Sequence, residues 1–244
     1  MISLLILIIA AFGGAVFGQT PSQNMLVDLQ SFTQPLQFSS SINLLLAITS
    51  ISVAPFFLIS TTSFVRFAIV LGMIRNAIGT NQSPPNPVII SIALFMTLYV
   101  MTPTWITIYE KAIIPYQNQE ISQSEAFSNG IKPFREFMLK YTRQQDLSLF
   151  IEFSKIPTVT NINDVPIYVI IPAFMISELK TAFQIGFMLF IPFIVIDLVV
   201  SNILLSLGMF MLSPVMISLP FKILLFVLVD GWNLITMGLL NGFQ

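Results

Sequence analysis

The chain has 244 residues, of which 55% are hydrophobic and only 9% are charged. Soluble domains carry about 25% charged residues, and a chain of this size cannot hide so much apolar sequence, so the composition indicates an integral membrane protein. The absence of Cys and His excludes disulfides, thiolate nucleophiles and imidazole chemistry. The net charge of -1 gives no basis for nucleic-acid binding. No P-loop or dinucleotide-binding glycine pattern occurs, and we expect no cofactor and no metal.

The N-terminal sequence MISLLILIIAAFGGAVFGQT has the apolar core and small residues of a signal peptide. The apolar core, Leu4 to Phe12, is too short to span a bilayer, which takes about 20 residues. We predict a signal peptide over residues 1–18, and a short anchoring helix is the alternative because the positive n-region is missing. Residues 19–41 are polar and contain two prolines, which predicts a mobile segment outside the core.

Two apolar segments predict a first hydrophobic hairpin over residues 42–110. The first segment, 44–74, is interrupted by Pro55 and by SFVRF (63–67), which contains Arg66. The second, 88–108, has about the length of a bilayer crossing. Between them RNAIGTNQSPPNP holds one glycine and three prolines, which predicts a turn.

Charge is concentrated in the middle of the chain. Thirteen of the 21 charged residues lie between Glu110 and Asp164, which predicts a polar insert over residues 111–164. In KPFREFMLKYT and DLSLFIEF, aromatic and aliphatic residues recur at helical spacing, so the insert is expected to contain two amphipathic helices. The simplest interpretation of their aromatic residues, which include Phe137 and Phe150, is the packing of a small core.

A second hydrophobic hairpin is predicted over residues 165–244. Its first arm, Ile167 to Met211, is much longer than a bilayer is thick at 1.5 Å per residue. We therefore expect this arm to be broken, and the expected breaks are Pro172, Pro192 and Gly208. A turn at Ser213 and Pro214 follows, and Pro220 is expected to begin a helix that runs to Leu240.

Six charged residues lie in apolar sequence. They are Arg66, Glu178, Lys180, Asp197, Lys222 and Asp230. A charge at the centre of a membrane helix costs on the order of 2.5–3.5 kcal/mol, so we expect these side chains to be paired or to face water. Lys222 and Asp230 are about 12 Å apart along one helix and cannot meet. Glu178 and Lys180 point to opposite helix faces. The pairing we predict is Glu178 with Lys222, across the hairpin or between subunits.

These charges are compatible with three classes of function. Proton-coupled transport would use Glu178, Asp197 or Asp230 as carriers. An intramembrane enzyme would need paired carboxylates, but no flanking motif supports one, and we expect no enzyme. A subunit of a packed assembly would use the charges to fix the register between neighbours, and the many prolines favour this class because irregular backbone needs protein around it.

One apolar segment, LSLGMFMLSP at residues 205–214, places Met209 and Met211 around Phe210. A hydrophobic loop buried in packing is the ordinary interpretation. The alternative is a flexible seal, because thioether side chains adapt to irregular partners and hydrophobic constrictions can gate a pore.

Several long motifs in order resemble the FliP/SctR family of export-gate proteins in flagellar and virulence type III secretion systems. They are TSFVRFAIVLGMIRNAIGTNQSPPNPV (62–88), FMLKYTRQQDLSLF (137–150), SELKTAFQIGFMLFIPFIVIDLVVSNILLSLGMFMLSP (177–214) and ISLPFKILLFVLVDGW (217–232). The signal-like N-terminus is similar to the flagellar branch.

The resemblance implies an all-α membrane protein of broken helical hairpins with a small amphipathic insert, assembled into a ring-like helical complex. It implies a homo-oligomer, a pentamer in the family, that works with FliQ-type, FliR-type and FlhB-type subunits. Unfolded proteins would cross the bacterial inner membrane through its centre, within the flagellar basal body. The core, including the insert, would protrude towards the periplasm. The runner-up is a proton-coupled transporter or channel subunit acting alone.

The resemblance also implies roles for individual residues. Met209, Phe210 and Met211 match a methionine-rich pore seal, with Phe at a position where relatives often have Met. Phe137 and Phe150 match aromatic positions near the pore. Glu178 and Lys222 match charges thought to join neighbouring subunits, and we group them with the other charges in apolar sequence, Arg66, Asp197 and Asp230.

Overall fold

The computed structural model describes residues 35–80, 82–154 and 162–243. The predicted signal peptide at 1–18 and most of the polar segment at 19–41 lie outside these ranges. Residues 35–41 of that segment belong to the first helix. The chain divides into two units, 1–52 and 53–244, and the features below belong to the second, apart from the N-terminal part of the first helix.

The described residues form helices and no strands, as the sequence predicts. In chain order the helices are α1 (Pro35–Thr61), α2 (Phe64–Ile78), α3 (Asn86–Ile108), α4 (Gln123–Tyr141), α5 (Gln144–Phe153), α6 (Ile167–Ser206), α7 (Pro214–Leu228) and α8 (Gly231–Asn241). A π-helical turn, Tyr109–Ile113, and a short helical segment, Ile114–Gln117, prolong α3.

Local sequence explains where the helices of the first hairpin begin and end. The axes of Ile51–Thr61 and α2 differ by 72° across the break at Thr62 and Ser63. Helix α2 ends at Gly79, whose φ of 92° suits glycine because no Cβ opposes the left-handed conformation. Pro87 occupies the first turn of α3, where no helical acceptor for its missing N–H is needed.

The insert contains two amphipathic helices, α4 and α5, as predicted from its periodicity. Helix α4 begins with a capping box in which the Ser122 hydroxyl accepts from the Glu125 backbone N–H and the Glu125 carboxylate accepts from the Ser122 backbone N–H. This backbone hydrogen bond, with a second from the Ser122 hydroxyl, lowers the pKa of Glu125. The cap therefore keeps its carboxylate charged into mildly acidic solution.

Two expectations for the second hairpin were wrong. Helix α6 runs unbroken for 40 residues through Pro172 and Pro192, and it ends only next to Gly208. The last apolar segment restarts at Pro214, with Pro220 inside α7, and it breaks again at Asp230 so that α7 and α8 differ by 62°.

Packing along its length explains why α6 continues through its prolines. An interior proline removes one backbone hydrogen bond and costs roughly 3 kcal/mol. The first half of α6 contributes Val169, Ile170, Ala173 and Phe174 to a core with α4 and α5. Further along, α6 contributes Ala182 and Phe193 to a larger core centred on α2. A break would separate these two cores.

Among the residues that the structure describes, two helices are long and apolar enough to cross a membrane, Asn86–Gln117 and Ile167–Ser206. Each of the two bent pairs, Ile51–Thr61 with α2 and α7 with α8, meets the same test when taken as one broken span. At about 1.5 Å per residue, α6 is roughly 60 Å long, twice the hydrocarbon thickness. A helix of this length that crosses a bilayer must extend beyond its hydrocarbon layer.

Candidate functional site

A buried ion pair joins α2 to α6. The Nε of Arg66 donates to Oε2 of Glu178 at 2.8 Å, and Nη2 donates to Oε1 at 2.5 Å. The Glu178 side chain is completely buried and that of Arg66 is 6% exposed. This paired geometry is the strongest that arginine and carboxylate form. Each charge is compensated here, so the pair can lie within apolar packing.

The residues after α8 contact the same guanidinium, and α4 contacts those residues in turn. Arg66 Nη1 donates to the carbonyl of Gly242 at 3.3 Å, and the guanidinium carbon lies 3.8 Å from the ring centre of Phe243. The hydroxyl of Tyr141, on α4, donates to the carbonyl of Phe243 at 2.6 Å. We call Arg66, Glu178, Tyr141, Gly242 and Phe243 the Arg66 node, because α2, α4, α6 and the residues after α8 converge there.

A second polar cluster attaches α5 to α6. The buried carboxylate of Asp146 accepts from the Ser177 hydroxyl at 2.8 Å and lies 3.6 Å from the Lys180 ammonium. The backbone N–H of Arg143 donates to the same Ser177 hydroxyl at 3.0 Å. Asp146 was not among the residues predicted from the sequence, because it lies in the polar insert and the prediction covered charges in apolar segments. Lys180 could have indicated an acidic partner such as Asp146, because no carboxylate on its own helix face lies within reach.

The third cluster joins α7 to α6. The Lys222 ammonium lies 2.6 Å from Oδ2 of Asp197, and the Ser218 hydroxyl donates to Oδ1 at 2.5 Å. Lys222 also lies 3.5 Å from the carbonyl of Ala77 on α2. The Lys222 side chain is 5% exposed and that of Asp197 is 30% exposed. The buried lysine therefore relies on Asp197 to compensate its charge, whereas the aspartate remains partly accessible from outside the chain.

These contacts correct the pairing expected within the chain. Glu178 pairs with Arg66 and Lys222 pairs with Asp197, so Glu178 and Lys222 do not meet across the hairpin. Within the chain, Glu178, Lys180 and Lys222 each have a partner on another helix. The choice of partner followed from helix packing, which the spacing of charges along the chain does not contain.

Asp230 differs from the other five charges. It is exposed, and within the described part of the chain no cation lies within ion-pair distance of it. Its backbone is left-handed, with φ 51° and ψ 54°, at the break between α7 and α8. Aspartate tolerates this conformation better than most residues. Asp230 therefore shapes the chain at the break rather than compensating a buried cation.

The apolar loop after α6 protrudes from the chain. Met209 is 43% exposed, Phe210 is 75% exposed and Met211 is completely exposed. Helix α6 ends in a Schellman motif, in which the N–H of Met209 bonds to the carbonyl of Leu204 and that of Gly208 to the carbonyl of Leu205. Gly208 has φ 69°, which favours glycine. A defined backbone end thus presents flexible apolar side chains outward.

The aromatic residues of the insert pack within the chain. The Phe137 ring lies 5.0 Å from that of Tyr141, 5.9 Å from that of Phe174 and 6.2 Å from that of Phe243. Phe150 packs against the core that α4, α5 and the start of α6 share. Both side chains are only partly buried. Core packing, the simplest interpretation of these residues, is what the structure has.

Comparison with known proteins identifies the family of the chain. The model of the FliP family matches residues 47–239. The chain belongs to the FliP family. It is 50% identical over 220 residues to the flagellar biosynthetic protein FliP of Bacillus subtilis, covering 90% of this chain and all of that protein. It is 54% identical over 196 residues to FliP of Caulobacter vibrioides, with 80% and 74% covered. Identity to FliP of Aquifex aeolicus is 46% over 244 residues, with 99% of each covered.

The match to the FliP family confirms the resemblance seen in the motifs, and the spans identified above make the chain a membrane protein. The matched range includes Arg66, Glu178, Asp197, Lys222 and the loop at 209–211. It stops before Gly242 and Phe243, so two members of the Arg66 node lie beyond the family model. Across the described residues, no three Asp or Glu side chains are grouped as a metal site would require.

Proposed function

We propose that the chain is a core subunit of the flagellar export gate, through which unfolded proteins cross the bacterial inner membrane. Membership of the FliP family is the observation that carries this proposal. The relatives are flagellar biosynthetic proteins, and 50% identity over the full length of one of them supports a shared role. In this proposal the subunit forms a homo-oligomer, pentameric as in the resemblance, with FliQ-type, FliR-type and FlhB-type partners. Its core would protrude towards the periplasm within the basal body.

The protruding loop supports a role at the pore. Met209, Phe210 and Met211 are too exposed to be core residues of the chain, and they follow a helix end with a defined backbone. Unbranched thioether side chains adapt to irregular partners. Copies of this loop around an axis would form an adaptable apolar constriction, and we propose that it seals the pore until a substrate enters. We propose that the partly exposed side chains of Phe137 and Phe150 lie near the wall of the pore.

The charges divide into two proposed roles. Arg66, Glu178 and Lys222 are buried in pairs within the chain, and we propose that they hold helices together. Asp230 is exposed, and Asp197 keeps 30% of its side chain accessible. These two carboxylates are proposed to meet cationic or hydrogen-bonding groups of neighbouring subunits.

The proposal is tested by the size of the complex that the chain forms. The chain is purified from membranes in mild detergent, alone and with co-expressed FliQ-type and FliR-type subunits, and the mass of each preparation is measured. We expect one stable particle that contains several copies of this chain and both partners. A stable monomer that transports a small solute in liposomes would replace the export gate by a transporter acting alone.

The seal gives a separate prediction. Replacing Met209 and Met211 with alanine removes the long flexible side chains and should raise the leakage of small ions through the assembled complex several-fold. Conductance of cells or vesicles that contain the complex measures this effect. Met216→Ala is the control, since Met216 is similarly exposed at 69% but lies on α7 beyond the loop. Equal leakage of the double variant, the control and the parent would contradict the seal.

A further inference from the structure

We infer that α8 is a strap, hinged at Asp230 and fastened at its other end by Gly242 and Phe243 on Arg66 and Tyr141. The fastening residues, which we call the latch, lie beyond the range that the FliP family model matches. The inference concerns the conformation of the chain itself. It does not depend on the proposed export role.

Several contacts converge on the two consecutive residues of the latch. Gly242 supplies the third acceptor of the Arg66 guanidinium, whose other two bonds go to Glu178. Phe243 lies with its ring against that guanidinium, and its carbonyl accepts the Tyr141 hydroxyl. The Phe243 ring also packs 5.3 Å from Phe67 and 4.9 Å from Tyr141. The Arg66–Glu178 pair is complete without the latch, so the latch can open while the pair stays formed.

The hinge lies at the opposite end of the strap. Asp230 has φ 51° and is followed by Gly231, the first residue of α8. A Cβ at Gly231 would collide with the ring of Phe226. At position 231 only glycine therefore allows α7 and α8 to approach each other this closely. The break confines the change of direction to two residues, and α8 can therefore rotate about it without unwinding α7.

Between hinge and latch, α8 is held by a narrow face. The buried residues of α8 are Gly231, Ile235 and Leu239, spaced four apart, whereas Leu234 is 58% and Met237 is 54% exposed. This buried stripe is narrower than the broad apolar face of an ordinary core helix. The end contacts therefore contribute a large share of what keeps α8 docked.

An open groove lies beside the latch. It has a volume of about 610 Å³ and lies between α3 and the end of the strap. Its lining includes Tyr99, Pro103 and Ile106 on α3 with Leu240 and Phe243 on the strap side. The strap end is therefore not packed tightly onto α3, and this side offers space into which the latch residues can move.

The test uses the absence of native cysteine, which allows single thiols to report on opening. Leu239→Cys places a thiol on the buried face of α8, where Leu239 is 3% exposed. Its rate of reaction with a maleimide is measured in native membranes that contain the full chain, with and without Tyr141→Phe. The phenylalanine keeps the ring and removes only the hydroxyl that donates to Phe243.

We expect Tyr141→Phe to accelerate labelling at position 239 by about 5- to 10-fold, the effect of one hydrogen bond on a local opening. Two further thiols serve as controls. Met237→Cys is exposed and should react at one rate throughout, while Ala173→Cys, buried in the core of α4, α5 and α6, should stay slow. Phe243→Leu should give the same pattern with a larger change.

Two results would overturn the strap. Unchanged labelling at position 239 in both Tyr141→Phe and Phe243→Leu would show that the latch does not hold α8. Equal acceleration at positions 239 and 173 would show that the whole chain loosens, which means that α8 does not open as a separate element.

Discussion

Replacing Glu178 with glutamine should lower the free energy of unfolding by about 3–5 kcal/mol, the cost of breaking a buried ion pair. Glutamine keeps the size of the side chain but removes the charge, which leaves the Arg66 guanidinium buried without a counter-ion and with only neutral carbonyl acceptors, that of Gly242 and that of the new amide. The loss would also weaken the contact between α2 and α6, the helix that contributes residues to both cores. Unfolding of the purified chain by increasing SDS in mixed micelles measures the effect.

Two variants make this result specific. Glu136→Gln makes the same chemical change at an exposed position of α4 and should alter stability by less than about 0.5 kcal/mol. The double variant Arg66→Met, Glu178→Leu replaces both charges with apolar groups and should recover most of the loss, because no uncompensated charge remains. A Glu178→Gln chain as stable as the Glu136→Gln chain would show that the pair does not hold the two helices.

The Lys222–Asp197 pair should respond asymmetrically to the removal of each partner. Asp197→Asn leaves an ammonium that is 5% exposed without its counter-ion, and we expect a loss of about 3 kcal/mol. Lys222→Met leaves Asp197 with its 30% exposure and its bond from Ser218, and the expected loss is about 1 kcal/mol. The same SDS titration compares the two variants.

The asymmetry is the informative part of this prediction. It follows from burial, because the two residues share one ion pair but only one of them can be solvated when the other is gone. Ser218→Ala is the matched control, since it removes one hydrogen bond from Asp197 and leaves the ion pair intact. Equal losses for Asp197→Asn and Lys222→Met would mean that both side chains are solvated to the same extent, against the burial described here.

Much of the secondary structure could be predicted from local pattern. The two hairpins, the turn at Gly79 and the two insert helices follow from apolar runs, prolines and helical spacing, and α2 to α5 have those positions. The errors concern α6 and α7. Proline was treated as a helix break at 172 and 192 and as a helix start at 220, yet helix continues through all three. A single missing hydrogen bond is a small cost against the two cores that α6 joins.

The charges show most clearly what the sequence by itself determined and what only the tertiary structure decided. From the sequence alone it follows that charges in apolar segments need partners, and that Lys222 cannot reach Asp230 along one helix. Which carboxylate each cation meets depends on how α2, α6 and α7 cross. Neither Gly242 nor Phe243 carries a charge or belongs to a motif that predicts contact with Arg66. The spacing of charges along the chain excludes some partners, whereas long-range packing decides among those that remain.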